Sequence, residues 1–276
     1  STVIATLNAE GNLDLNECID TYVQELATTP YKSAEVRQVL DMLSAIVYTY
    51  TPDSGSFAKH NQSISPNAKF LGVPIGSQQF ILALPAIADS RHGDAMFYKE
   101  SDPGVLVWAA ENITGKRFAE LASTRLWSEL GAEFELEVSC DPMGHWTHNT
   151  CACLRDLARW GQMLLNGGEF NGHRILPASW INDIRENASV QHVKGFLERT
   201  SADDPLLPEG FGYRSFFWVD THAGNAFAAW GGFGQILYVN PDHKTVVAMM
   251  SSDEDWVSNS RERWTFCRRL SEAMGQ

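Results

Sequence analysis

Three places in the chain hold side chains whose types and spacing could do chemistry. The first is Tyr98-Lys99-Glu100-Ser101-Asp102-Pro103, a polar tract at the mouth of an apolar run. A tyrosine in such a loop is a titratable phenol that can be held and used. In water it titrates near ~10, so a catalytic role calls for a cationic neighbour to stabilise the phenolate. The second is Ser56-Phe57-Ala58-Lys59. One helical turn would put serine and lysine on one face, where an amine can take a hydroxyl proton. Chance readily supplies such a tetrapeptide. The Gly/Ser/Pro/Asp-rich tract from Thr51 to Gly55 also makes a surface loop the expectation there. The third is the run holding His145, His148, Cys151 and Cys153. Cys-x-Cys lacks the spacing of a zinc knuckle, and the four lie in one short run rather than on two arms. A loop with cysteines as small apolar residues is expected, with no metal and no cofactor.

The elements that must position these residues follow from apolar spacing. Val3, Ile4 and Leu7 predict a helix stopped by Gly11. Leu15, Ile19, Tyr22, Val23 and Leu26 predict a second, ended by Thr29-Pro30, and a third short helix runs from Ser33 to Leu43. Gln79–Ala88 is a short apolar helix. Val105, Leu106, Trp108, Ala109 and Ile113 form one that stops at Thr114-Gly115, and another runs from Phe118 to Leu130-Gly131. Phe134, Leu136 and Val138 alternate as in a strand. Leu154 to Leu165 carries a helical stripe ended by Gly167-Gly168. From Gly210 the period becomes that of strands: Phe211–Val219, then Ala226–Gln235, Ile236–Val239 and Thr245–Met250, followed by a helix from Ser258 to Met274.

The chain has 276 residues, 44% hydrophobic and 11% aromatic, enough for a sizeable core. A formal charge of -13 argues against nucleic-acid or anionic-membrane partners, which need basic patches. No apolar run approaches the roughly 18 residues of a membrane span, and no basic start followed by an apolar core is visible. Five scattered cysteines, odd in number, point towards a reducing compartment.

The stretch from Tyr98 through Thr114-Gly115 resembles the penicillin-recognising serine hydrolases, the superfamily of class C β-lactamases, carboxylesterases, D-peptidases and 6-aminohexanoate-dimer hydrolase. Tyr98 falls on that superfamily's Tyr-x-Asn tyrosine. Glu100 stands where Asn or Ser is usual, so an acceptor replaces a donor at a position that touches substrate. Three further places are similar in the same order: Ala34-Glu35-Val36-Arg37 through Ile46, the run Leu154 to Trp180, and Trp230-Gly231-Gly232, which matches the third motif.

The resemblance implies an α+β, β-lactamase-like fold, a helical domain beside an antiparallel sheet with the active site between them. Residues 1–205 would be mostly helical, and 206–276 would supply sheet strands and the final helix. The family's N-terminal helix, its first strands and its Ser-x-x-Lys nucleophile would lie upstream of Ser1, on a preceding segment or second chain, so this chain alone is expected to form no acyl-enzyme. The implied chemistry is serine acylation by small esters or amides, among them β-lactams, D-peptides or aminohexanoate oligomers. Tyr98 would share the proton work, Glu100 and Trp230 would contact substrate, and strand N–H groups at Gly231 and Gly232 would hold the oxyanion. A non-catalytic relative binding a ligand or protein in the same cleft is the alternative.

Overall fold

A computed structural model describes residues 1–49, 55–200 and 207–275. The chain is α+β as expected and divides into two compact units, Ser1–Arg125 with Leu136–Cys151, and Leu126–Glu135 with Ala152–Gln276. Residues 152–200, expected with the helical part, cluster with the sheet. The expected boundary after residue 205 lies outside the described residues, as do residues 51–54 of the polar tract before Ser56. Among the described residues no helix is long and apolar enough to cross a membrane.

The first unit opens with α1 (Thr2–Ala9), which buries Val3, Ile4, Ala5 and Leu7. Gly11 adopts φ 76. Its N–H reaches Asn8 O and that of Asn12 reaches Leu7 O, both at 3.0 Å, closing the helix end the glycine predicted. The second expected helix breaks into a turn at Ile19–Tyr22 and a 3-10 segment at Gln24–Thr28. Side chains take its backbone donors: Asn16 N–H goes to Asp14 Oδ1 at 2.9 Å and Cys18 N–H to Glu17 Oε1 at 3.0 Å. The third shortens to α2 (Val36–Leu40), started by a capping box between Glu35 and Gln38. Ser33 and Met42 limit it with φ of 66 and 59.

Helices α3 (Ser56–Ser63) and α4 (Ser77–Leu82) follow, then α5 (Ser101–Thr114). The last is the unit's centre, burying Val105, Leu106, Ala109 and Ala110 against α1, α2 and α4. The helix expected from Phe118 is α-helical only to Ala122 and turns π-helical over Ser123–Trp127. A hairpin of β1 (Glu137–Cys140) and β2 (Trp146–Cys151) completes the unit. Trp146–Cys151, within the segment expected as a loop, is therefore a strand.

In the second unit α6 (Leu154–Leu165), α7 (Ala178–Glu186) and α8 (Val190–Thr200) precede a five-stranded antiparallel meander. Its strands are β3 (Phe211–Arg214), β4 (Phe217–Asp220), β5 (Ala226–Gly231), β6 (Gln235–Asn240) and β7 (Thr245–Met249), and α9 (Ser260–Met274) closes the chain. The run expected as one strand, Phe211–Val219, is a hairpin that turns at Ser215 and Phe216, both at positive φ.

Alternation along β6 aims neighbours at opposite faces. Leu237 meets α6, where a Cβ at Gly161 would come within 2.7 Å of Leu237 Cδ1 and 2.5 Å of Val246 Cγ1. Tyr238 stacks towards Trp264 of α9, its ring centroid 6.5 Å away. Helices thus cover both faces of the sheet.

Candidate functional site

Tyr98 sits on the loop entering α5. Phe97 N–H donates to Met42 O at 2.9 Å, tying that loop to the segment after α2. Lys99 then turns wholly inward. Its Nζ donates to Ser44 O at 2.9 Å, Ser44 Oγ at 3.0 Å and Asp102 Oδ2 at 3.2 Å, with neither charged side chain exposed. Asp102 Oδ1 also accepts from Ser44 Oγ at 2.7 Å and from the Tyr31 hydroxyl at 2.8 Å. Burial pushes the Lys99 ammonium down and the Asp102 carboxyl up, and the ion pair and hydrogen bonds oppose both shifts.

The cation adjacent in sequence to the phenol is thereby committed to the core. Glu100 sets a negative charge against Tyr98. Burial first, then Glu100, raise its phenol to about 12. At neutral pH Tyr98 is a proton donor, whereas the sequence alone asked for a stabilised phenolate.

Glu100 caps the start of α5 and points to a cluster the sequence did not reveal. Its Oε2 lies 3.4 Å from His60 Nδ1 and 3.3 Å from the Tyr48 hydroxyl, which is itself 3.2 Å from His60 Nδ1. His60 is fully buried on α3, stacked on Phe80 at 4.7 Å, and His148 of β2 meets it edge-on at 4.9 Å. Burial, then His60, push the His148 imidazole well below its ordinary value, so it is neutral.

The remaining sequence candidates separate. Ser56 and Lys59 lie on helix α3 rather than in the expected loop, with Lys59 exposed. His145 Nδ1 contacts Arg117 at 2.8 Å and Glu111 at 3.4 Å. Cys151 is exposed, and Cys153 Sγ donates to Asp156 at 3.0 Å. Of the four residues weighed as zinc ligands, only His148 joins a group with ligand geometry, and its companions are His60 and Glu100.

In the second unit, Trp230 and Gly231 end β5 and Gly232 opens a short turn to Gly234. Trp230 stands edge-to-face with Trp256 at 5.1 Å, Trp264 at 6.1 Å and Trp218 at 6.3 Å. Gly231 is in extended conformation and pairs with Gln235. A Cβ at Gly232 would meet nothing within 4 Å. Packing therefore does not require glycine at 232, and its absent side chain leaves the strand end open.

Residues 1–270 match the family described as Beta-lactamase. The chain belongs to that family. It is 31% identical over 270 residues to 6-aminohexanoate-dimer hydrolase from Paenarthrobacter ureafaciens, a match that takes in 95% of this chain and 65% of that protein. The chain thus spans just under two thirds of the length of this curated relative. A candidate 6-aminohexanoate-dimer hydrolase from Bacillus anthracis superposes with TM-score 0.83 at 27% identity, covering all of this chain and 71% of the other. EstCE1, a hydrolase with promiscuous acyltransferase activity, superposes at TM-score 0.71 and 13% identity, over 100% of this chain and 82% of that one. This last likeness is one of fold.

The sequence offers Tyr98 as a candidate because its motif is local. It does not offer His60 and Tyr48, since they reach Glu100 from 40 and 52 residues away. A histidine one residue after Ser56-x-x-Lys59 is the one local signal, and its burial is visible only in the fold.

Proposed function

We propose that the protein is a hydrolase of amide or ester bonds working through an acyl-enzyme on the family's serine, with Tyr98 as the group that hands a proton to the leaving amine or alcohol. The observation that carries this is the neutral phenol of Tyr98 on a loop anchored by the buried Lys99–Asp102 pair. General acid catalysis needs a donor that is protonated at working pH and held in place. Glu100 and Trp230 are proposed as substrate contacts. The backbone at Gly231 and Gly232 is proposed to donate N–H groups to the developing oxyanion, with open space at Gly232 and the Gln235 side chain against Gly231. The relative in Paenarthrobacter supports linear aminohexanoate amides as the substrate class.

The nucleophile is assigned to a Ser-x-x-Lys pair other than Ser56-x-x-Lys59, whose lysine is exposed. Fluorophosphonate labelling with peptide mapping tests the assignment. A label on Ser56 would overturn it. A second reading, a ligand-binding relative without turnover, is favoured by Glu100, which replaces a neutral donor with an anion beside the phenol. Saturable binding of an aminohexanoate dimer with no hydrolysis by the full-length protein would select that reading.

A further inference from the structure

We propose that His60, Glu100 and His148 form a binding site for a single divalent cation of zinc type. One ring nitrogen of each histidine and one carboxylate oxygen of Glu100 lie within 4.8 Å of one another. Zinc bonds of about 2.0–2.2 Å in tetrahedral array need ligand atoms about 3.3–3.5 Å apart. The His60–Glu100 edge is already 3.4 Å, so closure needs only His148 to move in by about 1.4 Å at most. Two imidazoles with one carboxylate select zinc, cobalt or nickel over calcium or magnesium, which prefer all-oxygen sets.

Three independent features point the same way. Among the described residues, both ring nitrogens of His148 are buried without a hydrogen-bond partner. Unsatisfied buried polar atoms are rare in folded chains and each is costly. A cation takes up a His148 lone pair that no described donor meets, while His60 offers Nδ1, the nitrogen that faces Glu100.

His148 also holds φ 67 within a strand, next to the register shift between Val138 and Cys140, a conformation that needs a local reason. It swings the ring over α5 at Gly104. A Cβ there would lie 3.1 Å from His148 Nε2, so glycine in the first turn of α5 makes the room the ring needs. Finally, the site is walled by rings that fix the ligands: Phe80 stacks on His60 and Trp146 lies 4.7 Å from His148. The Tyr48 hydroxyl bridges His60 and Glu100 from the remaining side.

The proposal shares Glu100 with the acyl-transfer reading, and its test reads the metal itself, so failure of either is distinguishable from failure of the other. Full-length protein stripped with chelator is titrated with Co2+ while visible absorption is followed, then with Zn2+ in competition. The expected result is one equivalent of four-coordinate Co2+, seen as intense d–d bands and displaced by Zn2+. Zn2+ should also raise the thermal midpoint.

His148→Ala, His60→Gln and Glu100→Gln should each weaken binding at least 100-fold, while His145→Ala and Cys151→Ser leave it unchanged. Glu100 is partly exposed, so its variant tests the site even if the buried His60 cannot be replaced without unfolding. Absence of the one-equivalent band would overturn the proposal, as would its persistence in Glu100→Gln and His148→Ala. If buried waters alone meet these nitrogens, that absence is the result.

Discussion

Lys99 and Asp102 meet at 3.2 Å with no part of either side chain exposed to solvent. Each charge is costly to bury alone, and the pair is tolerated because Ser44 and Tyr31 complete its hydrogen bonds. Removing one partner strands the other. Lys99→Met or Asp102→Asn should therefore lower stability by about 3–5 kcal/mol in denaturant unfolding. The double change Lys99→Met with Asp102→Leu should recover much of that. Single variants losing under about 1 kcal/mol would show that the pair does not hold the Tyr98 loop.

Tyr98→Phe removes one hydroxyl from a residue that is not fully buried. Loss of a positioned proton donor is expected to lower kcat about 10²–10⁴-fold. The thermal midpoint should shift little. Steady-state kinetics on an aminohexanoate dimer or a chromogenic ester, beside a melting curve, separate these effects, and an unchanged kcat removes Tyr98 from the mechanism.

Asp156 gives the second unit an acid-sensitive joint. Burial raises its carboxyl. Hydrogen bonds from Cys153, the Glu133 and Phe134 N–H groups and Arg159 outweigh that and bring it to about 2, from an ordinary 3.8. A depressed carboxyl contributes stability that is fully present above its unfolded value and is lost as pH falls through its folded one. Wild-type stability should thus fall between about pH 4 and pH 2 more steeply than that of Asp156→Asn. Equal slopes in acid unfolding monitored by circular dichroism would refute this.

Gly161→Ala sets two effects against each other. Alanine improves the helix by about 1 kcal/mol, but the new methyl would fall 2.5 Å from Val246 Cγ1. Overpacking of this kind costs about 1–3 kcal/mol. Net destabilisation is expected, partly restored by Val246→Ala, and urea midpoints of the two variants decide it.

Residues near each other in the chain were legible, and those that met through the fold were not. The apolar stripe of α6, the glycine closing α1 and the strands after Gly210 follow from local periodicity and turn chemistry. The break in the second expected helix was hidden because Asp14 and Glu17 spend their carboxylates on backbone donors, which an apolar pattern does not register. The hairpin at Ser215-Phe216 lacks the Asn-Gly or Asp-Gly signal that usually marks left-handed turn residues. At the site, the motif gave Tyr98, but its electrostatics depended on where Lys99 went. Only coordinates could send that ammonium inward and set Glu100 against the phenol.

The indole of Trp230 meets those of Trp218, Trp256 and Trp264 edge-to-face, so that three contacts converge on one ring at the end of β5. Transition dipoles this close couple, so this cluster will contribute a distinct band to the near-ultraviolet dichroism of the protein. That band is a built-in optical label: any event that loosens the β5 strand end will register there before the far-ultraviolet signal changes.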